Sequence, residues 1–166
     1  MTLVELLVVV ALGAIMLAVS AAYTVPWFAR EAARSSAHEV ETYLQLARIE
    51  AVSRNQACRF VLDQSGRNIR VLDTMGTSVT TDDEVLYERD LPNTVAFANP
   101  EGGSAVTLFD LGSQVYHAIF AGDGTVQTGA GTVNLFGGER YTRVTVFDAG
   151  GMRTTHWNGS GWETGS

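Results

Sequence analysis

The chain opens on an almost unbroken apolar run and then changes rhythm twice. From Leu3 to Ala22, "LVELLVVVALGAIMLAVSAA", the only charged residue is Glu5. About 20 apolar residues in a helix cover the roughly 30 Å of hydrocarbon in a bilayer, so this run predicts a membrane-crossing helix. Tyr23, Trp27 and Phe28 follow as an interfacial aromatic belt. Pro26, which lacks an N–H, predicts a kink or break, with Gly13 a second weak point. The helical period then resumes, with no Gly or Pro from Ala29 to Arg54. Val40, Tyr43, Leu44, Ala47 and Ala51 share one face, and Leu46, Ile49 and Val52 lie roughly opposite. Either both stripes are core, or one belongs to the protein's own sheet and the other to neighbouring helices. Unbroken, residues 1 to 54 would measure about 80 Å, longer than any domain of this size.

From Ala57 the period shortens to that of strands. Nine β-rich runs are "CRFVLD", "NIRVLDT", "EVLYERD", "TVAFAN", "AVTLFD", "VYHAIFA", "TVNLF", "TRVTVFDA" and "MRTTHW". "TMGTSVTTDDE", "NPEGGS" and "AGDGTVQTGAG" read as turns or loops between them. The expected fold class is therefore α+β: a long N-terminal amphipathic and transmembrane helix packed on a C-terminal antiparallel, sandwich-like β domain. The expected division is 1–28 as the hydrophobic segment, 29–56 as amphipathic helix, and 57–166 as the β globular domain.

Composition narrows the function. All eleven basic residues are Arg and the net charge is -7, which argues against a general nucleic-acid binder. The single cysteine, Cys58, excludes an intramolecular disulfide and reads as a buried strand residue. A carboxylate within a membrane costs on the order of 2 to 3 kcal/mol on insertion scales, so Glu5 implies a specific partner. Arg30 and Arg34 follow the apolar run, and the positive-inside rule alone would leave the bulk of the chain cytoplasmic unless a basic leader has been removed.

Catalytic signatures are incomplete. "HEVET" starts like a zinc-protease helix at His38 and Glu39, but Thr42 stands where the second histidine is needed. "NGSGW" around Ser160 lacks the outer glycines of a nucleophile elbow. His38, His117 and His156 have no paired spacing, and Asp82, Asp83 and Glu84 lack the alternation of a calcium loop. No catalytic residue, cofactor or metal is assigned, and the chain is not expected to be an enzyme.

"TLVELLVVVALGAIML" resembles the mature start of type IV pilins and type II secretion pseudopilins. "LARIEAVSRNQACRFVLD", "IFAGDGTVQTGAGTVNL" and "RYTRVTVFDAGGMRT" are similar to the corresponding segments of FimT minor pilins and H-type, GspH-like pseudopilins. The resemblance implies a structural filament subunit. Met1 would be the methylated N-terminus left by a prepilin peptidase, and Thr2, Leu3 and Glu5 the assembly residues. Glu5 would neutralise the amino group at position 1 of an adjacent subunit, and the helix would break between Gly13 and Pro26 in the filament. Other pilin subunits, identical or not, the inner membrane before assembly, the assembly platform and the peptidase would be its partners. The ectodomain would be periplasmic first, then part of a periplasmic or extracellular filament. Two departures stand out: Met1 where the family usually has Phe, and Pro26 about one turn later than usual.

Two alternatives differ in class: a DNA-receptor minor pilin for natural transformation, and a membrane-anchored periplasmic binding module. DNA-binding FimT pilins resemble one another in a Gly-Arg-x-Arg motif. Here the matching stretch is "GGMRTTHW", with Gly151 and Arg153 present and Met152 and Thr154 beside them. Arg140 and Arg143 would lie on an adjacent strand, but Asp148 and the acidic balance oppose a phosphate track. DNA is therefore an unlikely partner.

Overall fold

A computed structural model describes residues 2–77 and 82–164, apart from the side chains of residues 21–23, 25 and 26. Met1 lies outside the described residues. The first element, α1 (Leu3–Arg54), is one helix of 52 residues, about 78 Å long at 1.5 Å per residue. In this single chain it runs through Gly13 and Pro26 without interruption; the break expected between them belongs to the assembled filament. A proline removes only its own i→i−4 bond, and a lone chain has no neighbours to take up the further groups that melting would free. The helix ends at Asn55, whose left-handed backbone (φ 51°, ψ 38°) turns its N–H back to the Ala51 and Val52 carbonyls. Asparagine tolerates that conformation better than most residues, which makes it a natural stop.

Two antiparallel sheets follow. The first has the order β3-β2-β1-β6-β5, where β1 is Cys58–Asp63, β2 Asn68–Asp73, β3 Glu84–Asp90, β5 Phe109–Gly112 and β6 Val115–Phe120. Strand β7 (Val126–Thr128) also pairs with β6. The second is ordered β11-β10-β9-β8-β4, with β4 Ala96–Phe97, β8 Gly131–Gly137, β9 Arg140–Val146, β10 Met152–Trp157 and β11 Trp162–Thr164.

Both sheets pack on the same half of α1. Ala33, Ala37, Val40, Leu44, Ala47 and Ala51 are fully or almost fully buried at helical spacing. Against them lie Phe60, Leu62, Ile69, Val71 and Phe120 from the first sheet, and Val133, Leu135, Val144 and Val146 from the second. The small residues at 33, 37, 47 and 51 let the strands approach closely. At the near end, Gly137 admits the β8–β9 hairpin, because a Cβ there would sit 2.5 Å from the Ala29 carbonyl oxygen and 2.9 Å from the Ala33 methyl.

Several strands differ from expectation. The "AVTLFD" run divides between the sheets: Val106 bridges Val133, while Phe109 pairs with His117 on β6. Leu108 is buried at the crossing, so the apolar run marks a passage between sheets rather than one strand. The loop expected over 121–131 contains β7, and the polar tail forms β11 on β10 through Trp157 paired with Trp162. "TVAFAN" yields only the two residues of β4. Cys58 is a free, fully buried thiol whose pKa burial, and then the nearby Asp73 carboxylate, push up to about 11.

Candidate functional site

The N-terminal residues singled out from the sequence form a closed hydrogen-bonded unit. Thr2 is the N-cap of α1, and its hydroxyl accepts from the Glu5 N–H at 3.3 Å. The Glu5 carboxylate in turn accepts from the Thr2 N–H at 3.3 Å. This is a capping box, which satisfies donors that have no partner inside the helix and places a negative charge on the positive end of its dipole. The Thr-x-x-Glu spacing was visible in "TLVE", and it is the local signal that the reading of Glu5 as an intersubunit group missed.

Beyond the cap, α1 touches nothing for about five turns. Leu3–Ser20 is long and apolar enough to cross a membrane, and none of it is buried against the rest of the chain. Leu3 is 80% exposed, and a Cβ on Gly13 would meet nothing within 4 Å. The few polar side chains here bond within the helix, as where the Ser20 hydroxyl donates to the Met16 carbonyl at 2.9 Å. Such back-bonding hides polar atoms from an apolar surrounding.

The three arginines considered for DNA contact divide between the two faces of the second sheet. Alternation places Arg140 on the helix-facing side of β9 and Arg143 on the other side. The Arg143 guanidinium donates to Asn134 Oδ1 at 2.7 Å and to Glu101 at 2.8 Å, and it stacks 3.8 Å over the Trp162 ring. Arg153 lies on β10 beside Thr145 and packs 5.3 Å from the centre of the Phe147 ring. Arg143 and Arg153 thus share one face of the second sheet, the former engaged by Asn134, Glu101 and Trp162, and Arg140 lies on the opposite face.

The histidines also separate. His38 and His156 line one cleft between α1 and the second sheet. His117 sits on the far face of the first sheet, stacked 4.9 Å from Phe109. Burial, and next the charge of Arg59, hold the His117 pKa below its ordinary value. Asp83, one of the acidic triplet, is buried in an ion pair with Arg59. Among the described residues no three His, Cys, Asp or Glu side chains are arranged to hold a metal.

Comparisons with known proteins bear on the family and the fold. Residues 36–151 match the family described as type II transport protein GspH. No curated protein matches the chain. Its fold is similar to that of the type IV minor pilin FimU of Pseudomonas aeruginosa strain PAO1. That likeness has a TM-score of 0.57 at 19% identity and covers 81% of this chain and 94% of the other. It is also similar to the minor pseudopilin EpsH from the type 2 secretion system of Vibrio cholerae. There the TM-score is 0.54 at 18% identity, over 74% of this chain and 94% of the other.

Proposed function

Because the chain belongs to the GspH family of type II transport proteins, we propose that it is a structural subunit of a type IV pilus or type II secretion pseudopilus, assembled through α1. The family is one of structural pilins, and the fold is that of minor pilins and pseudopilins. One observation carries the assembly reading: the apolar surface of Leu3–Ser20 is wholly uncovered, yet it continues without a joint into the helix that forms the core of the head. A membrane covers that surface before assembly, and packed helices of neighbouring subunits cover it afterwards. In both states the head projects from the anchor.

Glu5 connects the two states. In the isolated chain its carboxylate is occupied by the Thr2 N–H and the helix dipole. In a filament it would instead pair with the amino group at position 1 of an adjacent subunit, where Met1, Thr2 and Leu3 meet the neighbouring helix. A charge pair in a low-dielectric bundle is stronger than one in water. The capping box keeps the carboxylate partly satisfied until that partner arrives. The helix between Gly13 and Pro26 would loosen in the same step, sheltered by neighbours that satisfy freed backbone groups. A prepilin peptidase would prepare the N-terminus, and an assembly platform in the inner membrane would deliver the subunit to a periplasmic or extracellular filament. The division at residue 28, between anchor and head helix, follows from the same reading.

The test is co-assembly. Glu5→Ala should remain in the membrane fraction at normal level but be missing from sheared or purified filaments. Normal incorporation of this variant would overturn the role given to Glu5.

A further inference from the structure

Between α1 and the second sheet lies an open cleft of about 980 Å³, adjoined by a smaller one of about 340 Å³ that reaches Trp27. Glu31, Arg34, Arg140 and His156 line both. On the helix, Trp27, Glu31, Arg34, His38 and Glu41 recur at steps of three or four and form one stripe. Facing them, Thr142 and His156 are cross-strand partners on β9 and β10, with Thr142 Oγ1 and His156 Nδ1 3.2 Å apart.

Arg34 and Arg140 differ from most of the other arginines. Arg30, Arg48, Arg54, Arg59, Arg67, Arg89 and Arg143 each donate to a carboxylate or carbonyl. Arg153 rests on Phe147, and Arg70, whose buried Nε has no hydrogen-bond partner, has its charge close to the Asp63 carboxylate. Arg34 and Arg140 have no hydrogen-bond, ion-pair or aromatic partner among the described residues, although both are near enough for their charge to act on His156. None of the carboxylates lining the cleft is within ion-pair distance of either guanidinium, so the two cations repel each other, and an anion between them would relieve that. Guanidinium forks suit phosphate oxygens in particular.

Position selects the source of the phosphate. Trp27 and Phe28 end the apolar segment, where aromatic residues favour the lipid headgroup level. Arg34 is seven residues further on, about 10 Å along the axis. Helical side chains lean toward the N-terminus, here toward the membrane, and an extended arginine spans most of that distance. Arg140 is held at the same level, because Arg30 Nε donates to the Gly138 carbonyl at 2.7 Å and Gly137 lies against Ala29. The acidic groups narrow the ligand further. Glu31 has no partner among the described residues, and Glu163 and Glu41 line the wider end. A ligand with only negative charge would meet these carboxylates unfavourably, whereas one that also carries a donor cation would not.

We propose that this cleft binds the headgroup of a membrane phospholipid bearing a primary ammonium, its phosphodiester between Arg34 and Arg140 and its ammonium toward Glu31. The proposal rests on the membrane-anchored reading of the apolar segment and is independent of filament assembly.

Native mass spectrometry of the full chain in detergent tests it. The chain is titrated with phosphatidylethanolamine, phosphatidylglycerol and phosphatidylcholine of matched acyl chains, and separately with inorganic phosphate and a short oligonucleotide. Phosphatidylethanolamine should bind at concentrations about tenfold lower than phosphatidylcholine, whose quaternary ammonium cannot donate a hydrogen bond. Arg34→Gln with Arg140→Gln should abolish that preference, and Glu31→Gln should remove discrimination between ethanolamine and glycerol headgroups while retaining lipid. Each variant is checked for an unchanged melting transition, which excludes loss of the fold as the cause. Equal lipid binding by the double variant overturns the site. Inorganic phosphate or the oligonucleotide binding as well as lipid overturns the lipid assignment. Dimers lost only in the double variant would give the cleft to a carboxylate of a second copy and overturn it too. A chain that remains soluble without detergent would instead refute the anchor, a failure distinguishable from all of these.

Discussion

Leu12 and Leu44 lie on the same helix, yet Leu12 is 54% exposed and Leu44 is fully buried. Around Leu12 every other large apolar side chain from Leu3 to Val19 is also open. Around Leu44, alanines at 33, 37, 47 and 51 alternate with Val40 so that two sheets press onto one face. Small residues bring backbones close and admit strands, whereas a continuous coat of Leu and Val has no preferred face and fits lipid or several neighbouring helices equally. The difference between the two halves is thus one of patterning more than of hydrophobicity. A surface that is apolar all round can exchange one surrounding for another, and a one-sided stripe cannot.

The largest test of this contrast is a matched pair of truncations. Leu44→Ala should destabilise the head by about 3 kcal/mol, within the range for buried leucine, because it truncates a fully buried core side chain and leaves a cavity. Leu12→Ala should leave the head's unfolding midpoint unchanged. Denaturant titration of the full chain in detergent, followed by a probe on the β domain, gives both values. Comparable losses in the two variants would show that the anchor half packs on the head after all.

Glu5 sharpens the same comparison from the anchor side. Glu5→Ala should lower incorporation into filaments by about tenfold or more, as expected when a charge pair is lost in a low-dielectric bundle. Head stability should stay as it is, since the residues of the capping box are some twenty residues or more from the nearest buried position on α1. Quantifying the subunit in sheared filaments and in membranes separates the two effects.

Much of this architecture could be read from the sequence because its signals are local. The apolar run, the face built on Val40, Leu44 and Ala47, and the alternation in "CRFVLD" each depend on residues a few positions apart. What escaped was of two kinds. Strand β7, inside a Gly-rich stretch, and β11, in a polar tail, exist because β6 and β10 offer edges to pair with, which no local pattern reveals. The cleft of Arg34 and Arg140 joins a helix to a strand far along the chain, and tertiary packing, including the close approach at Gly137, brings them together. The capping box was local and legible, but the stronger expectation of an intersubunit partner for Glu5 hid it.

Acid should distinguish the halves by a smaller margin, because the anchor half has no histidine. In the head, burial first, and then the charges of Arg140 and Arg34, hold the His156 pKa below 6.5. His117 is lowered by burial and then by Arg59. The unfolded chain therefore takes up protons first as pH falls, so stability present above about pH 6.5 declines from there toward the folded pKa values. The carboxylates of Asp63, Asp123 and Glu101 are lowered as well, by hydrogen bonds, and their contribution is lost only at more acid pH. Denaturation between pH 7.5 and 5.5 should show falling stability, with His156→Gln flattening part of the slope. An equal slope in that variant would remove His156 from the account.

The smallest effect on stability should come from the second stripe of the head helix. Ile49 and Val52 are 60% and 50% exposed, while Leu46 beside them is half-buried. Exposed substitutions away from special features usually change stability by no more than about 0.5 kcal/mol, so Ile49→Ser with Val52→Ser should leave the head's midpoint almost unmoved. The stripe is nevertheless continuous with the helix that carries the anchor, and two exposed β-branched side chains one turn apart make a surface a neighbouring helix can cover. If neighbours cover it, the double variant folds normally and incorporates less well than the unmodified chain, though by less than Glu5→Ala. Competition between tagged variant and unmodified subunits in the same filaments measures this difference directly. Equal incorporation would confine lateral contact to the apolar half and leave this stripe facing solvent, whereas loss of stability would mean that it packs on the head.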